Sequence, residues 1–166
     1  EATVTINILP LPDPPTANDD VVELAEDSNL RTGLPNETAI PLGANWKYLD
    51  TGVDQGTAWR EPTYNDSAWP AGAAELGYGD GDETTIVRFS NDENSKFATT
   101  YFRSSFEITD AAGFNRLTLN LLRDDSAAVY LNGIDIFRDS VLPSDATFDL
   151  YTGHSTAETG FQEFDV

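Results

Sequence analysis

Apolar and polar residues alternate along much of this chain. In residues 1–8, Ala2, Val4, Ile6 and Ile8 fall on one face and Thr3, Thr5 and Asn7 on the other. That spacing predicts a β-strand, because successive side chains of an extended backbone point to opposite sides. From residue 39 onward, short apolar runs are separated by Gly, Asn, Asp and Pro at intervals of roughly ten residues. The pattern predicts strands over 39–42, 46–50, 74–77, 85–89, 99–108, 116–123, 127–131, 134–138, 147–150 and 161–166. The 99–108 run is the clearest: Thr100, Phe102, Ser104, Phe106 and Ile108 share one face, and Tyr101, Arg103, Ser105 and Glu107 the other. In 116–123, Leu117, Leu119 and Leu121 form an inward face. Asn132-Gly133, between two alternating runs, predicts a tight hairpin turn in which both residues take positive φ. No segment keeps apolar residues at helical spacing for three turns; residues 110–114 could form one turn at most. Many short strands with tight turns predict an all-β fold, an antiparallel β-sandwich of jelly-roll type.

The proline pattern divides the chain. Pro10, Pro12, Pro14 and Pro15 cannot pair within a sheet and favour a stiff, extended spacer. Residues 1–20 therefore read as the last strand and linker of a preceding repeat, or alternatively 1–8 as an edge strand of this domain. Residues 21–166 read as the domain itself, with a short strand at 21–25 and a polar loop at 26–38.

Composition narrows the function. The chain has 166 residues with 9 Lys+Arg against 29 Asp+Glu, a formal charge of −20. Such acidity opposes binding to nucleic acid, which needs clustered Lys and Arg, and docking on anionic membranes. No apolar run reaches the ~20 residues of a transmembrane helix. The absence of Cys removes thiol chemistry, disulfides and Cys-ligated metals. The absence of Met predicts a piece of a longer chain. Nine Phe, 6 Tyr and 3 Trp supply a core and argue against disorder.

The order of motifs carries more. It runs Trp46-Lys-Tyr-Leu-Asp50, Asp54-Gln-Gly-Thr-Ala-Trp59-Arg60, Tyr64-Asn-Asp-Ser-Ala-Trp69 and Glu75-Leu-Gly-Tyr-Gly-Asp80. Thr100-Tyr-Phe-Arg103, Leu121-Leu-Arg-Asp-Asp125 and Val129-Tyr-Leu-Asn-Gly133 follow. Over about residues 40–166 this order resembles the galactose-binding-domain-like β-sandwiches attached to large secreted bacterial proteins. Asp66-Ser-Ala-Trp69 and Tyr130-Leu-Asn-Gly133 are similar to pieces of the sugar-binding domains of glycoside hydrolases. The segment from Leu11 to Asp20 resembles the junction between cadherin-like or immunoglobulin-like repeats of bacterial surface proteins. The resemblance implies a non-catalytic, extracellular or cell-surface module that sits among neighbouring domains and binds carbohydrate. The alternative is a structural or adhesion spacer without a small ligand. Domains of this kind usually continue for at least one more strand beyond the position of Val166. Either the domain lacks its final strand in this sequence, or another strand fills that place, for which residues 2–8, from the same chain or a neighbour, are the candidate.

Candidate chemistry lies on the turns. A sugar site needs an exposed flat ring against a pyranose face, with polar groups for the hydroxyls. Trp46, Trp59, Tyr64, Trp69, Tyr78 and Tyr151 are the ring candidates; Trp59 and Trp69 read as core, and Tyr64 and Tyr78, flanked by Asn, Asp and Gly, as loop tips. The carbohydrate set is then Tyr64, Tyr78, Trp46, Arg123 and Asp124, with Arg123 read either as a buried brace or as half of a hydroxyl-binding Arg/Asp pair. Asp50, Asp54 and Thr57 on one loop, and Asp80, Asp82 and Glu83 on another, offer oxygens of the kind a structural Ca²⁺ takes. The resemblance implies such an ion in the loop before Thr57-Ala-Trp59. Asp13, Asn18, Asp19 and Asp20 form a further candidate between domains, and solvated acidic loops are the competing reading for all three groups. The lone His154 sits in a polar loop without a nucleophile elbow, so no catalytic set is assigned.

Overall fold

The computed structural model describes residues 2–10, 37–79, 81–92, 94–108, 114–152 and 160–166. The regions expected at 11–36, including Asp13, Asn18, Asp19, Asp20 and the 21–25 strand, lie outside the described residues, as do Asp80, residues 109–113 and His154. The fold is all-β with mainly antiparallel sheets. The strands are β1 (Ala2–Pro10), β2 (Glu37–Ile40), β3 (Asn45–Leu49), β4 (Ala71–Ala73), β5 (Leu76–Gly77) and β6 (Thr85–Ile86). They continue with β7 (Tyr101–Arg103), β8 (Phe114–Arg123), β9 (Ala128–Leu131), β10 (Ile134–Arg138) and β11 (Gln162–Asp165). A single 3₁₀ turn at Ala58–Arg60 is the helical element among the described residues.

The largest sheet runs β11-β8-β1-β5-β6, with β2 also paired to β1. Strand β1 lies antiparallel to β8 along its whole length, from Ala2 opposite Arg123 to Pro10 opposite Phe114. Its other side meets β5 at Ala2–Leu76 and β2 at Ile8–Glu37 and Ile6–Ile40. One pair in this sheet, β5 with β6, is parallel. A second sheet has the order β4-β3-β7, and β9 and β10 form a hairpin. In the hairpin turn Asn132 has φ 51° and Gly133 φ 85°, the two positive values that a two-residue turn with this twist requires.

Among the described residues, two clusters form the core. Ile40, Leu119 and Leu121 are buried, with Leu119 and Leu121 almost inaccessible, and Leu117, Val129, Phe137 and Phe164 pack around them. Burying each such side chain is worth up to about 1.5–3 kcal/mol. Ala74, Leu76 and Val87 form the second cluster with Tyr48, Tyr78 and Phe102. Trp46 packs against both clusters and joins them.

The inward face of β8 ends in a charge. Arg123 shares the parity of Leu117, Leu119 and Leu121, and is only 5% exposed. A buried guanidinium is tolerable only when its donors are satisfied. Its Nε donates to Asp139 Oδ2 at 2.6 Å and a terminal nitrogen donates to Asp139 Oδ1, while Nη1 donates to Gln162 Oε1 at 3.0 Å. The rings of Phe137 and Phe164 lie 5.2 and 5.6 Å from its Cζ. Asp139 Oδ2 also accepts the N–H of Ala127 at 2.8 Å. This group ties β8, β11 and the β9–β10 hairpin together at one point.

Several strands differ from the sequence pattern: 85–89 is strand only at Thr85–Ile86 and 74–77 only at Leu76–Gly77. Residues 147–150 form a turn, with Leu150 N–H bonded to Thr147 O at 3.1 Å, because no strand lies alongside to pair with them among the described residues. The 99–108 run is strand only at Tyr101–Arg103, the three residues that find partners on β3. Asp139→Ala leaves the Arg123 charge buried without its main partner, and the expected loss is about 3–5 kcal/mol. Replacing both residues, Arg123→Met with Asp139→Leu, is expected to recover most of that loss. Urea unfolding midpoints check both; a loss below about 1 kcal/mol for Asp139→Ala would place the pair at a solvated surface instead.

Candidate functional site

The loops following β6, β8 and β10 converge beside the second core cluster. Tyr78 and Phe89 face each other with ring centroids 4.7 Å apart. The Lys96 ammonium lies 4.8 Å from the Tyr78 ring and 5.5 Å from the Phe89 ring, so the two π-faces hold a cation between loops. The Tyr151 hydroxyl donates to the Lys96 carbonyl, which fixes the tip of a side chain that is otherwise 66% exposed. Thr99 Oγ1 donates to Phe148 O at 2.6 Å, and Thr152 Oγ1 meets Ser126 Oγ at 3.0 Å. These bonds join the 89–99 loop to residues 147–152, and residues 147–152 to the 124–126 turn.

Between the first two lies an open hollow of about 290 Å³, lined among others by Ser90, Ser95, Lys96, Phe97, Asp149 and Tyr151. That is the lower end of the size of small-ligand sites. A second, more open hollow along Phe89, Ser90, Asn91, Asp92 and Asn94 shares Ser90 with it. Gly52 forms part of the first wall: its φ is 68°, and a Cβ there would run into the Phe97 ring. The wall is held from behind by Asp50, whose Oδ2 accepts the Arg88 N–H at 2.6 Å.

Carboxylates of the turn after β8 act on this site. Burial raises the Tyr78 hydroxyl above its usual pKa of 10.0, and the charges of Asp124, Asp125 and Tyr151 raise it further. Tyr78 and Asp124, both expected in the site, are therefore brought within electrostatic reach of each other. Tyr151, a ring candidate from the sequence, supplies the most exposed face. Phe89, Lys96 and Asp149 were not expected. They come from segments distant in sequence, and no local pattern marks them.

The other expected residues lie elsewhere. Trp46 is a core residue, as its contacts with both clusters show. Arg123 points inward to Asp139 and acts as the brace of the two readings. Tyr64 belongs to a separate aromatic group. Its hydroxyl donates to Gln55 Oε1 at 3.1 Å, its ring meets the edge of Trp69 at 5.7 Å, and the Arg103 guanidinium lies 5.3 Å away. Arg103 in turn donates to Asp66 at 2.9 Å and to the Trp59 carbonyl. Trp59 abuts Tyr101 and Tyr130, and Trp69 is buried, so this group is packed rather than open.

The calcium candidates that lie among the described residues do not converge. Asp50 is occupied with Arg88, Asp54 Oδ1 accepts the Gly56 N–H at 2.8 Å, and Thr57 is exposed at the start of the 3₁₀ turn. Asp50 and Asp54 face backbone donors and the Thr57 side chain makes no cap bond, so the three do not fit as a cation cradle. Glu83 Oε2 accepts the Gly81 N–H at 3.0 Å and Asp82 is exposed. Among the described residues no three His, Asp or Glu side chains are grouped to hold a metal ion. Also among them, no helix is long and apolar enough to cross a membrane.

Comparison with known proteins adds no relative: no family model, no curated protein and no solved structure matches the chain.

Two phenols are expected to ionise late, Tyr78 and Tyr101, both raised above 10.0 chiefly by burial. A raised native pKa means that the folded state holds its proton more tightly than the unfolded state. The associated stability is present below pH ~10 and is lost as pH rises through the native values. Phenolate absorbance should show a late step above pH ~10, and Tyr78→Phe should remove part of it. A Tyr78→Phe variant that leaves the late part of the titration unchanged would contradict the burial of the Tyr78 ring.

Proposed function

We propose that this chain is a galactose-binding-domain-like β-sandwich of jelly-roll type that binds neutral carbohydrate without catalysis. In this reading it is an accessory module of a secreted or cell-surface bacterial protein, set among neighbouring domains. The packing of Trp46, from the three-stranded sheet, against the Ile40, Leu119 and Leu121 cluster supports two facing layers. The observation that carries the binding reading is Tyr151. Its ring is exposed at the lip of a hollow whose wall offers Ser90, Ser95, Lys96 and Asp149, and its hydroxyl is anchored beforehand on Lys96 O. An anchored ring stacks on a sugar face with little ordering cost, and short polar side chains suit hydroxyl groups. The surrounding carboxylates of Asp124, Asp125 and Asp149, in a chain of net charge −20, favour uncharged sugars over uronates or sulfated glycans.

Affinity electrophoresis through gels of neutral polysaccharides tests this. Retardation is expected for the native chain and a loss of about tenfold in affinity, roughly 1.4 kcal/mol, for Tyr151→Ala. Lys96→Ala should weaken binding in the same direction, and Ile134→Ala should not. Retardation unchanged by Tyr151→Ala would remove the site.

One observation favours the spacer reading: Trp46, Trp59, Tyr64, Trp69 and Tyr101 are all engaged in packing, which leaves few rings for a ligand. In that case no neutral polysaccharide retards the chain. We also propose a structural Ca²⁺ on the loop of Asp82 and Glu83, whose third expected ligand, Asp80, lies outside the described residues. A ligand of the native state raises Tm by mass action. Millimolar Ca²⁺ is thus expected to raise Tm relative to EDTA, and equal Tm values would retire the ion.

A further inference from the structure

Strand β1 is the keystone of the main sheet, yet its tie to the rest of the chain is long. Ile8 lies opposite Glu37, so the end of β1 and the start of β2 are neighbours. Hairpin loops of two to five residues close such pairs. Here the connection is residues 11–36. Loop-closure entropy grows only slowly with length, so pairing within one molecule is retained. A link of that length, fully extended, reaches about 85 Å, far beyond the breadth of one small domain.

The slot that β1 fills is defined by backbone groups on both sides. Strand β8 pairs with it over nine residues, while β2 and β5 meet its other edge. With β1 withdrawn, β8 would present a row of unpaired N–H and C=O groups, β2 would lose its partner, and β5–β6 would be cut off from β8. Such an edge is a template for another extended strand. The pairing geometry is indifferent to which molecule supplies the strand, and the long connection can reach the slot of a second molecule as well as its own.

We propose that the slot between β8 and β2/β5 is a strand-acceptor site that takes residues 2–10 of a second copy of this chain. The incoming strand lies antiparallel to β8 in the register seen here, and exchange between two copies gives a closed dimer. The tether sets an effective concentration on the millimolar scale, so exchange competes only at comparable chain concentration or during refolding.

The lack of native Cys makes a direct test possible. Thr5 lies opposite Asn120, and antiparallel partners have Cα separations that a disulfide spans. The full chain is used throughout. The double variant Thr5→Cys/Asn120→Cys, oxidised at low concentration, should give an intrachain link. The two single variants, unfolded together, refolded at ~1 mM and mildly oxidised, should give a covalent heterodimer. Peptide mapping should place its disulfide between positions 5 and 120. The control pair, Thr5→Cys with the exposed-loop variant Thr63→Cys, should give far less. No intrachain link in the double variant would show that β1 does not fill the slot. Mixed single variants that yield no more heterodimer than the control pair would show that the slot is filled only in cis. Either result overturns the proposal.

Discussion

The buried pairing of Arg123 with Asp139 is the interaction on which the arrangement of this protein turns. Strand β8 carries its leucines at every second position, and Arg123 inherits the same inward direction. A charge so placed must be matched or the strand cannot end there. Asp139 matches it, and in doing so fixes the end of β10, receives the Ala127 N–H and brings Gln162 of β11 to the same point. The Phe137–Phe164 contact, with centroids 4.3 Å apart, closes the apolar side of the joint. The reversal of the chain between β8 and β9 is then determined, including Asp125 at φ 59°.

That reversal places one wall of the candidate site. Asp124 and Asp125 lie where their charges reach Tyr78, and Ser126 holds Thr152, the neighbour of Tyr151. The site is thus assembled from loops whose positions are set by the core behind them, a common division of labour in which a rigid framework carries variable loops. The same layout explains how the chain tolerates its acidity. Much of the negative charge lies on turns, where water and salt screen it over about 8 Å, while the described core contains one buried carboxylate that is paired.

How far the sequence disclosed this depends on the range of the interactions involved. The Asn132-Gly133 turn and the inward leucines of β8 were legible, because turn type and strand periodicity are local properties. The direction of Arg123 was also legible from its parity with Leu121, although its partner Asp139, across a hairpin, was not. The strand β4 was missed because Ala71–Ala73 is short, small and without alternation. Trp46 and Tyr64 looked like site residues because aromatic character is visible in a sequence and burial is not. Lys96 and Phe89 were invisible for the opposite reason: their role exists only once the 89–99 loop lies against Tyr78. Tyr78 and Asp124 stand out in the sequence only singly, and only the fold brings them within electrostatic reach of each other.

The most direct measurement of the central claim is a residue-resolved NMR titration of the ¹⁵N-labelled chain with a neutral oligosaccharide. Amide shifts should move in a saturable way around Tyr78, Ser90, Lys96, Asp149 and Tyr151, while the surroundings of Tyr64 and Trp69 stay still. Saturable shifts centred on Tyr64, Trp59 and Arg103, or no saturable shift at any neutral sugar, would contradict it.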